Sequence, residues 1–173
     1  MSRAFVKETD GDGPDELPDL PVSRHPNYVT GRGLRQLQTR LTAIEQRMAT
    51  LSHDAVDSRL QRAQLARDRR WLLARLAAAQ PVPSTAKTRI DFGARVELAD
   101  DNDQHYRYRI VGEDEADPEH GRISWLSPLA QALKDAQVGD SVIWQRPAGD
   151  ISVEVLAIDF SPESPSNDLD VAS

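Results

Sequence analysis

Six apolar side chains, Leu34, Leu37, Leu41, Ile44, Met48 and Leu51, follow one another at spacings of 3, 4, 3, 4 and 3, and no other feature restricts the folding of this chain more. On an α-helix that spacing gathers all six on one narrow stripe, while Arg35, Gln36, Gln38, Arg40, Glu45, Gln46 and Arg47 between them are polar. So narrow a stripe is covered by one partner helix and not by a broad core. The partner comes next in the chain. Past a break at Ser52-His53, residues 56–79 are helix-forming, with Val56, Leu60, Leu65, Leu72, Leu73 and Leu76 as apolar anchors in a less regular register. A connection this short predicts an antiparallel helical hairpin over residues 29–80. Thr30 is placed to cap the first helix, although Gly31 and Gly33 blur its start.

Pro81-Val-Pro83-Ser closes the second helix, because proline cannot continue it and the residue before a proline is pushed to extended geometry. Residues 81–89 therefore read as a linker. Beyond it the pattern changes to short alternating segments, Arg95–Leu98, Tyr106–Val111, Ser141–Trp144 and Ile151–Leu156, which predict strands of an antiparallel sheet. Pro128–Lys134 predicts one short helix with proline in its first turn and Ser127 as its cap. The fold class is α+β: a helical hairpin (coiled coil) followed by a globular domain over 90–160. Residues 1–28 hold four prolines, acidic clusters and few large apolar side chains, which predicts a flexible arm that docks at Tyr28 and Val29. Residues 161–173 return to the same composition and predict a disordered tail.

The chain carries a net charge of −7, unevenly spread. Between Gly31 and Gln80 ten arginines face Glu45, Asp54, Asp57 and Asp68, so that segment is +6 and the rest of the chain −13. A basic element attached to an acidic body points to an anionic partner surface, whereas the overall sign argues against simple coating of nucleic acid. Arg59, Arg62, Arg67 and Arg70 form the candidate basic face of the second helix. The absence of cysteine excludes disulfides and thiolate sites, and fits a reducing, cytoplasmic setting. No apolar run approaches the roughly 20 residues that cross a bilayer, and the N-terminus lacks a signal peptide's apolar stretch. A soluble monomer with no membrane partner is expected.

The stretch Tyr108-Arg-Ile-Val-Gly-Glu-Asp-Glu-Ala-Asp117, then Ile123-Ser124, Ser127-Pro-Leu-Ala130, Ala132-Leu133 and Val138-Gly-Asp140, resembles the C-terminal domain of the GreA/GreB transcript-cleavage factors in order and spacing. The similarity runs from about Ile90 to Phe160 and includes the entry strand Phe92-Gly-Ala-Arg-Val. It implies an FKBP-like domain that docks on the secondary-channel rim of bacterial RNA polymerase, with Ser127, Pro128 and Leu129 on the docking face. Read without the family, Gly112 and Gly139 are turn residues, and Glu113, Asp114, Glu115 and Asp117 are a solvated acidic loop. Thr30-Gly-Arg-Gly-Leu is similar to the opening of the Gre coiled coil.

The family's tip signature is absent. Gre factors carry Gly-Asp-x-x-Glu-Asn-Ala there, whose two carboxylates enter the polymerase active site and help hold its second magnesium ion and the attacking water. Here the tip is Leu51-Ser-His-Asp-Ala-Val-Asp57. Asp54 and Asp57 keep a spacing of three, which puts both carboxylates on one face of a first helical turn. Such a pair suits a magnesium ion completed by polymerase and RNA oxygens. It equally suits helix capping by Asp54 and a favourable place for Asp57 near the positive helix end. Against the family pattern each helix is shorter by about ten residues, a deficit of about 15 Å at the tip. Shortened hairpins also mark the Rnk-like relatives, polymerase-binding regulators.

Two readings follow from the resemblance. In the first, the chain is a transcription elongation factor, a cofactor and not a free-standing enzyme. Its hairpin enters the secondary channel, where Asp54 and Asp57 share magnesium with the polymerase and the arginines guide the nascent RNA 3′ end. In the second it docks without supplying catalytic acids. His25, His53, His105 and His120 show no metal-ligand spacing, and Trp125 and Trp144 are expected to pack in the globular domain.

Overall fold

The computed structural model describes residues 17–51 and 56–162. Its first element is a short strand, β1 (Asn27–Val29), and the hairpin follows as α1 (Gly31–Thr50) and α2 (Val56–Ala77). Thr30 caps α1 as its sequence position predicts: the hydroxyl accepts from the Gly33 N–H at 3.0 Å. The helices run antiparallel, since Arg69 of α2 pairs with Glu45 of α1 at 3.0 Å while Arg62 donates to the Leu51 carbonyl at 3.2 Å.

The seam of the hairpin centres on buried Leu37 and Leu72, with Leu34, Leu41, Ile44, Trp71 and Leu76 packed around them. The stripe on α2 runs through Arg62, Leu65, Arg69, Leu72 and Leu76, again at spacings of 3, 4, 3 and 4. Two of those positions hold arginine, which satisfies its guanidinium on α1, and that is why the apolar register looks irregular in the sequence. Leu60 and Leu73, read as anchors, lie off the stripe and are 59% and 39% exposed; Ala63 is buried instead.

Strand β2 (Ala79–Pro81) leaves α2 and pairs in parallel with β1, Asn27 against Ala79 and Val29 against Pro81. A two-stranded ribbon thus ties together the entry and exit of the hairpin. Pro81 offers no N–H to this ladder, and Val82 continues it by donating to the Val29 carbonyl at 3.0 Å.

The globular domain is built on β3 (Arg95–Asp100), β4 (His105–Val111), β5 (Arg122–Ser124), β6 (Ser141–Trp144) and β7 (Ile151–Asp159) in the order β5-β4-β3-β7-β6. All neighbours are antiparallel except β4 and β5, which run parallel. Helix α3 (Pro128–Leu133) covers one face. The core runs from Ile90 to Phe160 and contains Val96 and Leu98 of β3, Val153 and Val155 of β7, and Leu129, Ala130 and Leu133 of α3. Trp125 and Trp144 pack against that core, as expected of them.

Candidate functional site

The hairpin meets the sheet domain through the acidic segment after β4. Glu115 is 4% exposed, and its carboxylate accepts from the Thr30 N–H at 2.8 Å, from the Thr30 hydroxyl and from the Gly112 N–H at 3.4 Å. It therefore holds the first turn of α1 from 85 residues away. Arg75, 2% exposed near the end of α2, donates through Nε to Asp114 Oδ2 at 2.6 Å and through Nη2 to Asn27 Oδ1 at 2.6 Å. Asn27 returns the contact, its Nδ2 donating to the Arg75 carbonyl at 2.8 Å. The segment read as a solvated acidic loop is thus a buried latch on both helices. A buried guanidinium is tolerated where a carboxylate and hydrogen-bond acceptors meet it, and Arg75 finds Asp114 and Asn27.

Two glycines leave room for the latch. A Cβ on Gly33 would lie 2.0 Å from the Glu115 Cδ, and one on Gly112 would lie 2.3 Å from the Tyr28 carbonyl oxygen. Gly112 has φ −65°, so a close approach and not a turn requires it. Gly33 was the signal in the sequence: a glycine in a first helical turn is unfavourable unless something must come close. Aromatic contacts extend the junction, with Tyr28 edge-on to Trp125 at 5.1 Å between ring centres.

The predicted tip acids separate into two cases. Asp54 lies outside the described residues, as does His53; Asp57 is in the first turn of α2, and its side chain is not described. Among the described residues no three His, Asp or Glu side chains gather in a way that could hold a metal ion.

The predicted basic face is not uniform. Arg59 is exposed, Arg62 reaches the Leu51 carbonyl, Arg67 pairs with Asp68 at 2.9 Å, and Arg70 pairs with Asp19 of the N-terminal arm at 2.7 Å. Residues 17–26 carry no helix or strand but run against α2 through that contact and others.

The predicted docking residues also divide. Ser127 caps α3, its hydroxyl accepting from the Ala130 N–H at 3.3 Å, and Pro128 is exposed. Leu129 is 2% exposed and packs in the core, at the floor of a groove beside Pro128. It lies on the covered side of α3 with Ala130 and Leu133, which corrects its assignment to the surface. Pro128 instead borders an apolar groove with Tyr108, Ile123, Trp144 and Pro147, which the sequence scatters over 40 residues.

Residues 85–160 match the family described as "Transcription elongation factor, GreA/GreB, C-term". A GreA of Acidiphilium cryptum is 33% identical over 151 residues, covering 76% of this chain and 96% of that protein. The chain belongs to the GreA/GreB family. A GreA of Sinorhizobium medicae is 46% identical over 74 residues, and a GreB of Neisseria meningitidis 38% over 94. These matches take in 42% and 53% of this chain and span 47% and 58% of the two relatives, about half of their length. Among solved structures, the GreA factor homolog 1 (Gfh1) of Thermus thermophilus is 24% identical, with a TM-score of 0.39 and coverage of 78% of this chain and 99% of that one. The GreA/GreB match over 85–160 encloses the core from Ile90 to Phe160, and with it the acidic side of the latch, Pro128 and the apolar groove.

Proposed function

We propose that the chain is an RNA-polymerase-binding elongation factor whose sheet domain seats on the secondary-channel rim through Ser127, Pro128 and the adjoining groove. Its hairpin enters the channel and stimulates cleavage of backtracked RNA by the polymerase. The observation that carries this reading is the buried latch. Glu115 and Arg75 fix both helices to the sheet domain, so docking of one dictates where the other points. A two-helix lever on a hinge could not deliver a tip group to a defined place; one braced at both roots can.

Asp54 and Asp57 are the residues that would help hold the polymerase's second magnesium ion and the attacking water, and the ion would supply charge stabilisation. Arginines on α2 would face the anionic channel and the extruded RNA 3′ end. The chain itself supplies no complete catalytic set in this scheme, so it acts as a cofactor to the polymerase.

A second reading, docking without cleavage, is favoured by the length of the lever. Helix α1, at 20 residues, spans about 30 Å.

Stalled, backtracked elongation complexes with end-labelled RNA decide between the two. Cleavage stimulated by the chain and lost in the Asp54→Ala/Asp57→Ala variant establishes the first reading. Undiminished binding without cleavage establishes the second, and no binding overturns both.

A further inference from the structure

We propose that the cavity between the root of the hairpin and the sheet domain is a binding site for a small, flat organic anion of the aromatic carboxylate class. Tyr28 of β1 and Val82, just past β2, bring the hairpin root to it. Phe92, Ile110 and Trp125 line it from the sheet domain, and Lys134 at the end of α3. The space measures about 370 Å³, inside the range of roughly 300–1,000 Å³ in which small molecules are held. Tyr28 stands 5.9 Å from Phe92 and 5.1 Å from Trp125 between ring centres, tilted against the first and edge-on to the second. All three rings are partly exposed although they line one space, so a flat ring seated among them would take apolar surface out of water.

Trp125 supplies an independent sign. Its indole N–H is buried and meets no acceptor among the described residues, whereas the indole of Trp71 donates to the Pro21 carbonyl at 3.1 Å. A buried donor without an acceptor is costly, and an oxygen brought by a ligand would recover that cost. The residue is held in place for the purpose, since Gln131 of α3 donates from Nε2 to the Trp125 carbonyl at 2.7 Å.

The sign of the ligand follows from Asp91, Lys87 and Lys134. Asp91 also lines the cavity, but both of its oxygens are taken: Lys87 pairs with one, and the Phe92 N–H donates to the other at 2.8 Å. Lys134 acts on the same carboxylate electrostatically and forms no ion pair of its own among the described residues. Two ammonium groups thus stand against one occupied carboxylate, which leaves a positive charge for an anion.

Binding is measured on the full-length chain without polymerase, so its failure leaves the proposed function standing. The chain has three tryptophans, and each gives one indole N–H signal in a nitrogen–proton correlation spectrum. Trp125→Phe removes one signal and so assigns it, while keeping a ring in place. On titration with 2-naphthoate the Trp125 indole signal should move first and saturate, with a dissociation constant of about 1 mM or below. The uncharged naphthalene-2-carboxamide should bind about fivefold more weakly, and the exposed Lys134→Gln should abolish the difference between the two. Trp125→Phe should weaken both by about fivefold or more while the amide spectrum of the sheet domain stays in place. A Trp125 signal that stays still up to about 10 mM naphthoate overturns the proposal. So does a titration led by Trp144, which would put the naphthoate in the groove beside Pro128. Equal binding of the acid and the amide by the unaltered chain overturns it as well.

Discussion

Glu115 does at the residue scale what no local pattern announces. Its carboxylate serves Thr30 and Gly112 inside a junction that excludes water. Glu115→Ala strands those buried donors and should cost about 2–4 kcal/mol, read as a lower urea midpoint at unchanged slope. Gly33→Ala drives a methyl into the same carboxylate and should cost a similar amount, about 1–3 kcal/mol. Because alanine at 115 vacates the space, the double variant should be less damaged than the two losses added, which a double-mutant cycle measures. Four acids at 113–117 are visible in the sequence, but the partners of Asp114 and Glu115 stand 39 and 85 residues away, and separation in sequence hides a tertiary contact. Asp100 is the opposite case, a local device. Its carboxylate, held by the Gln104 N–H first and by the Asn102 N–H and Tyr106 hydroxyl, titrates below the ordinary aspartate range. The folded pKa lies below the unfolded one, about 3.9. The stability that Asp100 contributes is therefore complete above that value and vanishes as pH falls through the folded pKa. Melting temperatures of the wild type and Asp100→Ala should differ at pH 7 and draw together as pH falls through the lowered folded pKa.

Among the elements, the hairpin was legible from α1 outward because its apolar spacing is strict. The α2 register was obscured where Arg62 and Arg69 occupy stripe positions. The correction has consequences for neighbouring leucines of identical chemistry. Leu72, 1% exposed on the seam, should cost about 3 kcal/mol as Leu72→Ala, whereas Leu73→Ala at 39% exposure should stay within about 0.5 kcal/mol in thermal or urea unfolding. The strands β3, β4, β6 and β7 announce themselves by alternation, with in-facing Val96, Leu98, Val153 and Val155. Strands of three residues, β1, β2 and β5, are too short to show a period, and β2 includes a proline that reads as a breaker. Their pairing is set by the hairpin and the sheet that flank them. Arg75→Met tests the latch between elements. Loss of a buried cation that serves Asp114 and Asn27 should cost about 3 kcal/mol and raise amide exchange in the last turn of α2 before that of the sheet core.

For the whole molecule, the hairpin is a lever rooted in the sheet domain through Glu115 and Arg75, and that domain carries Pro128 and its groove. The resemblance to GreA/GreB was legible in the motif from Tyr108 to Asp140, because that motif encodes a core and a turn. Reach was not, since it depends on the seating of a partner's surface. The central claim, a braced hairpin aimed into the secondary channel by docking at Pro128, is tested most directly from the tip. A single cysteine introduced as Ser52→Cys takes an iron chelate, and hydroxyl-radical cuts map which polymerase residues it approaches. The account predicts cuts clustered inside the secondary channel, abolished when Pro128→Glu is added and unaltered by Asp54→Ala/Asp57→Ala. Cuts confined to the outer surface, or a channel pattern indifferent to Pro128→Glu, would contradict it.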